Sequence, residues 1–226
     1  MFYPQPWTRN TVGNSQSNNH SNVIKVTGEG TVSVTPDMAT VTLGVISENK
    51  DLTTAQQENN QQMTQVINSL LQLGISSESI KTTDYRIEMV YDYVDSKQVL
   101  RGYRVIHMLQ VTTKDISQVG VIVDTAVSNG ANTVSNIEFS ITTPSTYQNK
   151  ALTNALSNAK GKAAVLANDL GVTLQSIPYK IIELGQARPP IPFQTTMFAM
   201  SEAATPIQPG ELRITATIEA YFTFIS

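Results

Sequence analysis

The order of strand and helix patterns along the chain constrains its fold more than any other feature of the sequence. Between residues 40 and 142, segments with strand periodicity and segments with helix periodicity follow in the order strand, helix, strand, strand, helix, strand. This is the order of a ferredoxin-like β-α-β-β-α-β unit with an antiparallel sheet. The pattern therefore predicts an α+β fold built on such a core.

Apolar residues recur every three or four positions in both helices of this unit. The first helix is predicted from Asp51 to Leu73, with Gly74 as its C-terminal cap. The second begins at Asp115 and Gln118, which resemble a capping box. The strands of the unit are predicted at residues 41–45, 80–94, 102–112 and 133–142.

Further elements extend the predicted core at both ends. Alternation from Val23 to Val34 predicts a leading strand, which we expect to pair with the next strand in an N-terminal hairpin. A long third helix is predicted from Pro144 to Leu170, and two closing strands at 179–184 and 212–224. These elements place residues 23–226 in a single predicted domain.

Two segments lack periodicity. Residues 1–22 are polar and carry one full charge, so they are predicted to form a flexible arm. Residues 186–210 form a long loop rich in proline, and loops of this length are often functional or mobile.

Composition excludes several classes of protein. The chain has 226 residues, no cysteine and two histidines, which excludes a disulfide framework, a thiolate zinc site, a cysteine nucleophile and a multi-histidine metal centre within one chain. Its 15 Lys and Arg against 18 Asp and Glu give no basic surface for nucleic acid. No segment approaches the roughly 20 apolar residues of a membrane-spanning helix.

No residue pattern points to catalysis. Gly28-Glu29-Gly30 lacks the third glycine of a nucleotide fingerprint and leads into a strand rather than a helix. His107 lies in an alternating strand, where structural packing is the expected role. We therefore predict no catalytic, cofactor-binding or metal-binding residue, and no cofactor.

The hairpin between residues 84 and 104 is the first candidate interaction surface. It combines charges of both signs with half of the tyrosines, and aromatic residues and arginine are enriched in interface cores. A solvated sheet with cross-strand ion pairs is the other interpretation of this pattern. The interface interpretation selects Tyr91, Tyr93, Tyr103 and Arg104.

Three further segments are candidates for contacts with a partner. Alanines at four-residue spacing in the long helix let another backbone approach closely, either within the fold or in a partner. The loop contains a P-x-x-P match, typical of a polyproline segment or a stiff connector. The interface candidates are Ala151, Ala155, Ala159, Pro190, Pro192 and Phe198, with Phe2, Tyr3 and Trp7 as anchors of the arm on a neighbouring subunit.

Eight short motifs, taken together and in order, resemble the SIMPL domain family, which includes the YggE-type and periplasmic immunogenic proteins and a mammalian kinase-interacting protein. Between them they span residues 23–226 almost completely. The motifs are 26–30, 35–39, 73–75 with 80–82, 102–104, 129–132 with 137–139, the alanine-rich helix 151–171, 205–211 and the final strand.

The resemblance implies an α+β fold with no established catalytic residue and no cofactor. It also implies that some members form symmetric, ring-like or channel-like homo-oligomers, with an envelope- or stress-related role. We therefore expect a non-enzymatic protein that self-assembles. The alternative is a module that binds another protein or a small ligand through the hairpin 84–104 or the loop 186–210.

The start of the chain departs from the bacterial pattern of the family. Typical members begin with a secretory signal, whereas residues 1–22 contain no apolar core of that kind. We therefore expect the cytoplasm, or a surface reached by another route, rather than the periplasm.

Overall fold

Two antiparallel sheets, each with helices on one face, form the part of the chain that the structure describes. This computed structural model describes residues 22–185 and 205–225, and the backbone of residues 191–193. The strands are β1 (Val23–Val34), β2 (Met38–Asn49), β3 (Ile80–Val94), β4 (Lys97–Thr113), β5 (Thr133–Ser140), β6 (Thr173–Leu174), β7 (Lys180–Glu183), β8 (Ile191–Phe193) and β9 (Glu211–Ile225). The helices are α1 (Leu52–Gln72), α2 (Val119–Ser128) and α3 (Pro144–Asp169), with 3-10 turns at Ser77–Ser79 and Ile116–Gln118.

The first sheet confirms the predicted α+β class and its ferredoxin-like core. Its strand order is β3-β4-β2-β5, and every neighbouring pair is antiparallel. Helices α1 and α2 cover one face, because their apolar stripes bury Met63, Val66, Leu70 and Ile122 against the sheet. The alternate residues of β2, such as Glu48, point to the uncovered face of the sheet.

The second sheet differs from the expected N-terminal hairpin. Strand β1 does not pair with β2; it pairs along its whole length with β9, from Val23 opposite Thr223 to Val34 opposite Leu212. The other edge of β9 carries the short strands β6, β7 and β8. Helix α3 covers one face of this sheet, and its apolar residues share a core with β1 and β9.

The three residues between β1 and β2 carry the chain from one sheet to the other. Asp37 accepts hydrogen bonds from the backbone and the hydroxyl of Thr142 at 2.7 and 2.8 Å. The Asp37 amide donates to the Ser140 carbonyl at 3.1 Å. These bonds tie the turn to the end of β5, so β1 and β2 diverge into different cores instead of folding back on each other.

Helix α3 lies unusually close to β1, and two glycines make this approach possible. A Cβ atom on Gly28 would overlap Ala155 and Ala159, and one on Gly30 would overlap the backbone of Ala151 and Ala155. The alanines present only a methyl group to the strand, and all three are fully buried. The glycines of β1 and the alanine stripe of α3 therefore form one internal contact.

A row of polar side chains on α3 closes the outer edge of β1. Asn158 accepts from the Glu29 amide at 3.1 Å, Asn154 donates to the Thr31 carbonyl at 3.2 Å, and Lys162 donates to the Thr27 carbonyl at 2.9 Å. These three α3 residues are spaced by four, so they lie in line along the helix. Three backbone groups in the middle of this edge, which could otherwise pair with another strand, are thereby bound within the chain.

His107 is packed at the margin of the first core. Its ring meets Tyr85 edge-on with centroids 5.1 Å apart, and its Nε2 lies 3.4 Å from Thr82 Oγ1. Nδ1 is buried, without a hydrogen-bond partner among the described residues. Burial lowers the pKa of His107, so the folded chain favours the neutral imidazole.

Replacing Gly30 with alanine is expected to destabilise the fold by about 3 kcal/mol, because the added methyl meets backbone that cannot move without lifting α3 from β1. The matched control is Gly161→Ala on the same helix, where a Cβ meets nothing within 4 Å. Alanine should stabilise that helical position by about 0.8 kcal/mol. Thermal unfolding followed by circular dichroism measures both, and equal effects would contradict the close approach.

Acidification is expected to destabilise the wild-type chain through His107. Its folded pKa lies below the ordinary value of 6.5, so the unfolded state takes up the proton first and the free energy of unfolding falls as pH drops through that value. His107→Phe removes this contribution and leaves His20 unchanged. The Tm of wild type should therefore fall more than that of the variant between pH 7.5 and 5. Parallel curves of Tm against pH would contradict the role of His107.

Candidate functional site

The hairpin of β3 and β4 projects beyond the rest of the first sheet. The third strand, β2, ends at Asn49, which pairs with Tyr103. Beyond that point β3 and β4 continue alone to the turn at Asp95 and Ser96, both with positive φ. We call residues 84–104 the ribbon; its residues 90–102 lie beyond the end of β2. A two-stranded hairpin without further support is marginally stable in water, so the contacts on its two faces matter.

One face of the ribbon is apolar and exposed. From Tyr85 to Tyr93, every second residue of β3 is apolar or aromatic, with side chains between 40% and 74% exposed. On β4, Leu100 and Tyr103 pair with Tyr91 and Met89 of this set. We call this the aromatic face; its residues are Tyr85, Ile87, Met89, Tyr91, Tyr93, Leu100 and Tyr103.

The opposite face of the ribbon is charged and paired. The Glu48 carboxylate, on β2, accepts from Arg101 at 2.7 Å and from Arg104 at 2.5 Å. Arg101 also lies 3.6 Å from Asp92, and Arg104 lies 3.9 Å from Glu88. The two arginines therefore connect the ribbon to the end of β2, the point beyond which only β3 and β4 continue.

The network of ion pairs continues along β3. Arg86 binds Glu88 at 2.8 Å and also pairs with Asp84. Hydrogen bonding to Glu88 raises the pKa of Arg86, and hydrogen bonding from Arg104 lowers the pKa of Glu48, so the charged forms of Arg86 and Glu48 are both favoured. Exposed ion pairs contribute little to stability, and only the pairs of Glu48 link the ribbon to another strand of the sheet.

A small pocket lies where the ribbon leaves the sheet. It has a volume of about 200 Å³ and is lined by residues that include Glu48, Lys50, Arg101 and Tyr103. Sites for drug-sized ligands usually measure about 300–1,000 Å³. The carboxylate of Glu48 in this pocket is already bound by two arginines, so it is not free to act as a general base.

The four hairpin candidates from the sequence lie in the ribbon, although on different faces. Tyr91, Tyr93 and Tyr103 belong to the aromatic face, whereas Arg104 belongs to the charged face. Sequence reasoning left a solvated sheet and an interface as alternatives. The structure places ion pairs on one face and exposed apolar side chains on the other, and the interface interpretation stays a prediction.

The alanine candidates lie elsewhere and are not accessible. Ala151, Ala155 and Ala159 are buried against Gly28 and Gly30 of β1. The close approach that their spacing indicates is made within the chain, so no partner can reach them while α3 is packed.

The remaining candidates are described only in part. The backbone of Pro192 lies in β8, opposite Leu212 of β9. Thr205, where the described chain resumes, donates its hydroxyl to Asp124 at 2.6 Å. Pro190, Phe198, Phe2, Tyr3 and Trp7 lie outside the described residues.

Sequence reasoning missed Ile87, Met89 and Leu100 as members of the aromatic face. The signal was present in the parity of β3, since residues 85, 87, 89, 91 and 93 are all apolar or aromatic and residues 84, 86, 88 and 92 are all charged. Separating the two faces by period two would have identified the face. Leu100 required the register of β4, because Arg101 forms a bulge there.

The described ranges contain no group of three or more His, Cys, Asp or Glu side chains placed to hold a metal ion. No helix in those ranges has the length and apolar character needed to cross a membrane.

This chain is similar to curated proteins from several bacteria. It is 32% identical to the "26 kDa periplasmic immunogenic protein" of Brucella melitensis, over 88% of this chain and 83% of that protein. It is 30% identical to "Uncharacterized protein YggE" of Escherichia coli, over 64% of this chain and 59% of that protein. Neither name describes an enzyme.

The expectation of a cytoplasmic or other non-periplasmic location is wrong by this comparison. The Brucella melitensis protein and its Brucella abortus counterpart, also 32% identical to this chain, are both named as periplasmic. The expectation depended on residues 1–22 alone, whereas the similarity extends over most of the chain.

A family model described as "SIMPL: Protein of unknown function (DUF541)" matches residues 24–222. The matched region begins in β1 and ends in β9, so it includes both sheets, all three helices and the ribbon. The resemblance seen in the sequence motifs is confirmed, and this chain belongs to the SIMPL family.

Proposed function

We propose that this chain is a non-enzymatic assembly protein that forms symmetric homo-oligomers through the aromatic face of the ribbon. One observation carries the proposal: five apolar or aromatic side chains in a row on β3 are between 40% and 74% exposed in the isolated chain. Contiguous exposed apolar patches on soluble proteins usually mark a site of association.

The construction of the ribbon supports association rather than accidental exposure. Ion pairs from Glu48 to Arg101 and Arg104 hold its charged face, so the aromatic face is presented on a supported strand pair. Tyrosine offers large contact area with few rotatable bonds, which keeps the entropy cost of binding low. The aromatic face therefore has the composition of an interface core.

The compartment proposed for this assembly is the bacterial periplasm. The support is the printed name of the two Brucella relatives, which are 32% identical to this chain. An envelope role follows from that location.

The alternative function is capture of a different protein by the same ribbon. It uses the same exposed face, and it differs in one measurable respect: the purified chain would be monomeric. The small pocket beside Glu48 gives little support to small-ligand binding at the ribbon, because it is below the usual size of a ligand site.

Removing two rings from the aromatic face is expected to convert the assembly to monomers. The variant is Tyr91→Ser with Tyr93→Ser, and both side chains are exposed, so the fold should keep its circular dichroism spectrum and Tm. Size-exclusion chromatography with light scattering at micromolar concentration should show oligomers for wild type. The apparent Kd of the variant should rise at least about 100-fold, because two interface aromatics are lost.

The matched control removes exposed apolar surface elsewhere. Val165 on α3 is 70% exposed and Ile177 is 79% exposed, and Val165→Ser with Ile177→Ser should leave the oligomer intact. A monomeric wild type would contradict self-assembly and favour the alternative. Oligomers that survive loss of both tyrosines would reject this face.

A further inference from the structure

The two sheets do not offer equal edges to a partner. The middle of the β1 edge is capped, because the Thr27 and Thr31 carbonyls and the Glu29 amide are bound by Lys162, Asn154 and Asn158 of α3. Strand β5 is short, contains a register shift opposite Thr42 and Leu43, and exposes one large apolar residue, Val134. Among the long strands of the described chain, the edge of β3 is the one that remains both regular and apolar.

Strand β3 is regular over the whole length of the ribbon. Its own bulge lies at Thr83, before the ribbon begins, and the second irregularity belongs to Arg101 on β4. From Asp84 to Val94 the strand therefore alternates without interruption, and no strand in the described ranges pairs with its outer edge. Such an edge is a template for pairing with another strand.

We propose that two copies of this chain pair antiparallel through their β3 edges, with Met89 of one copy opposite Met89 of the other. The four-stranded first sheet then continues across a twofold axis into the second copy. The inference depends on the proposed self-assembly and deepens it by naming the partner strand and its register.

The side chains of β3 select this register. With Met89 on the axis, Tyr85 lies opposite Tyr93 of the second copy, and Ile87 lies opposite Tyr91. Every apolar residue of the β3 stripe then faces another apolar residue, which is the favourable cross-strand arrangement. Because residues on one face of β3 stay on that face, the aromatic face contributes to the contact through these cross-strand pairs, in which its side chains pack laterally against those of the second copy.

The charged face is complementary in the same register. Arg86 lies opposite Asp92 of the second copy, and Asp92 lies opposite Arg86, so the axis generates two identical opposite-charge pairs. Both residues are on the charged face and about half exposed, at 52% for each side chain. The new pairs extend the existing ion-pair network.

Neighbouring registers lose these matches. Moving the axis by one residue to Glu88 places Asp84 opposite Asp92 and Tyr93 opposite Thr83. Moving it to Val90 places Glu88 opposite Asp92 and Tyr85 opposite Asp95. Either shift breaks one apolar pairing, loses the Arg86–Asp92 pair and places two carboxylates opposite each other, so the register centred on Met89 is preferred.

A single introduced cysteine tests the register, because the chain has none of its own. Met89→Cys should be cross-linked to a covalent dimer by a short bismaleimide, since the two thiols meet on the axis. The control Tyr93→Cys alone should give no covalent dimer. The two introduced cysteines are then eight residues apart along the antiparallel pair, a separation of about 27 Å. Mixing Tyr85→Cys with Tyr93→Cys should restore cross-linking.

Charge exchange between copies gives an independent test that does not depend on thiols. Arg86→Asp and Asp92→Arg each place like charges opposite each other in the homodimer, and each should raise the dimer Kd at least about tenfold. Mixing the two variants should restore affinity, because the heterodimer has opposite charges at both positions. Sedimentation velocity of each variant and of the mixture measures this.

The outcomes separate the two proposals. A monomeric wild type contradicts self-assembly and, with it, the β3 register. A wild-type oligomer in which Met89→Cys fails to cross-link, and in which mixing the charge variants restores nothing, overturns the register while leaving self-assembly in place. Cross-linking at Met89 together with recovery on mixing is the expected result.

Discussion

The close packing of α3 on β1 governs which surfaces of the molecule remain available. Gly28 and Gly30 have no Cβ, so the helix approaches near enough for Asn154, Asn158 and Lys162 to bind the outer edge of the strand. The middle of the β1 edge is thereby capped, although β1 has the length and regularity of a good pairing edge. The outer strand of the first sheet, β3, has no such cover in the described part of the chain, and we therefore place the proposed association there.

The ribbon combines support on one face with exposure on the other. A bare two-stranded hairpin would lose much of its order in water, and ordering it on binding would weaken any contact it made. The ion pairs of Glu48, Arg101 and Arg104 supply order before association, because they join the ribbon to β2. The exposed tyrosines can then contribute their apolar area to a partner with little additional loss of freedom.

Period-two and helical patterns predicted the elements well, because they report which residues of a segment face a core. They do not report which strand is the neighbour: β1 was expected beside β2, yet its partner is β9, almost the whole chain away. The same limit affects the candidate site. Alternation placed Tyr91 and Tyr93 in a strand, but their exposure follows from where α1 and α2 pack on the sheet, a tertiary fact. The alanine stripe of α3 could have contacted either a partner or the same chain, and only the structure shows that it packs on the glycines of β1.

Pairing through β3 alone closes at two copies, because a twofold contact uses the same edge of each chain once. A larger ring requires a second, different surface, and the described structure narrows the choice. The middle of the β1 edge is bound by α3 and the alanines are buried, so a contact through either would have to displace the helix. The short edge of β5 lies at the opposite side of the first sheet from β3, where a contact would extend a β3-linked pair outward without competing with it. An assembly larger than a dimer would then be a set of twofold pairs joined by a weaker contact.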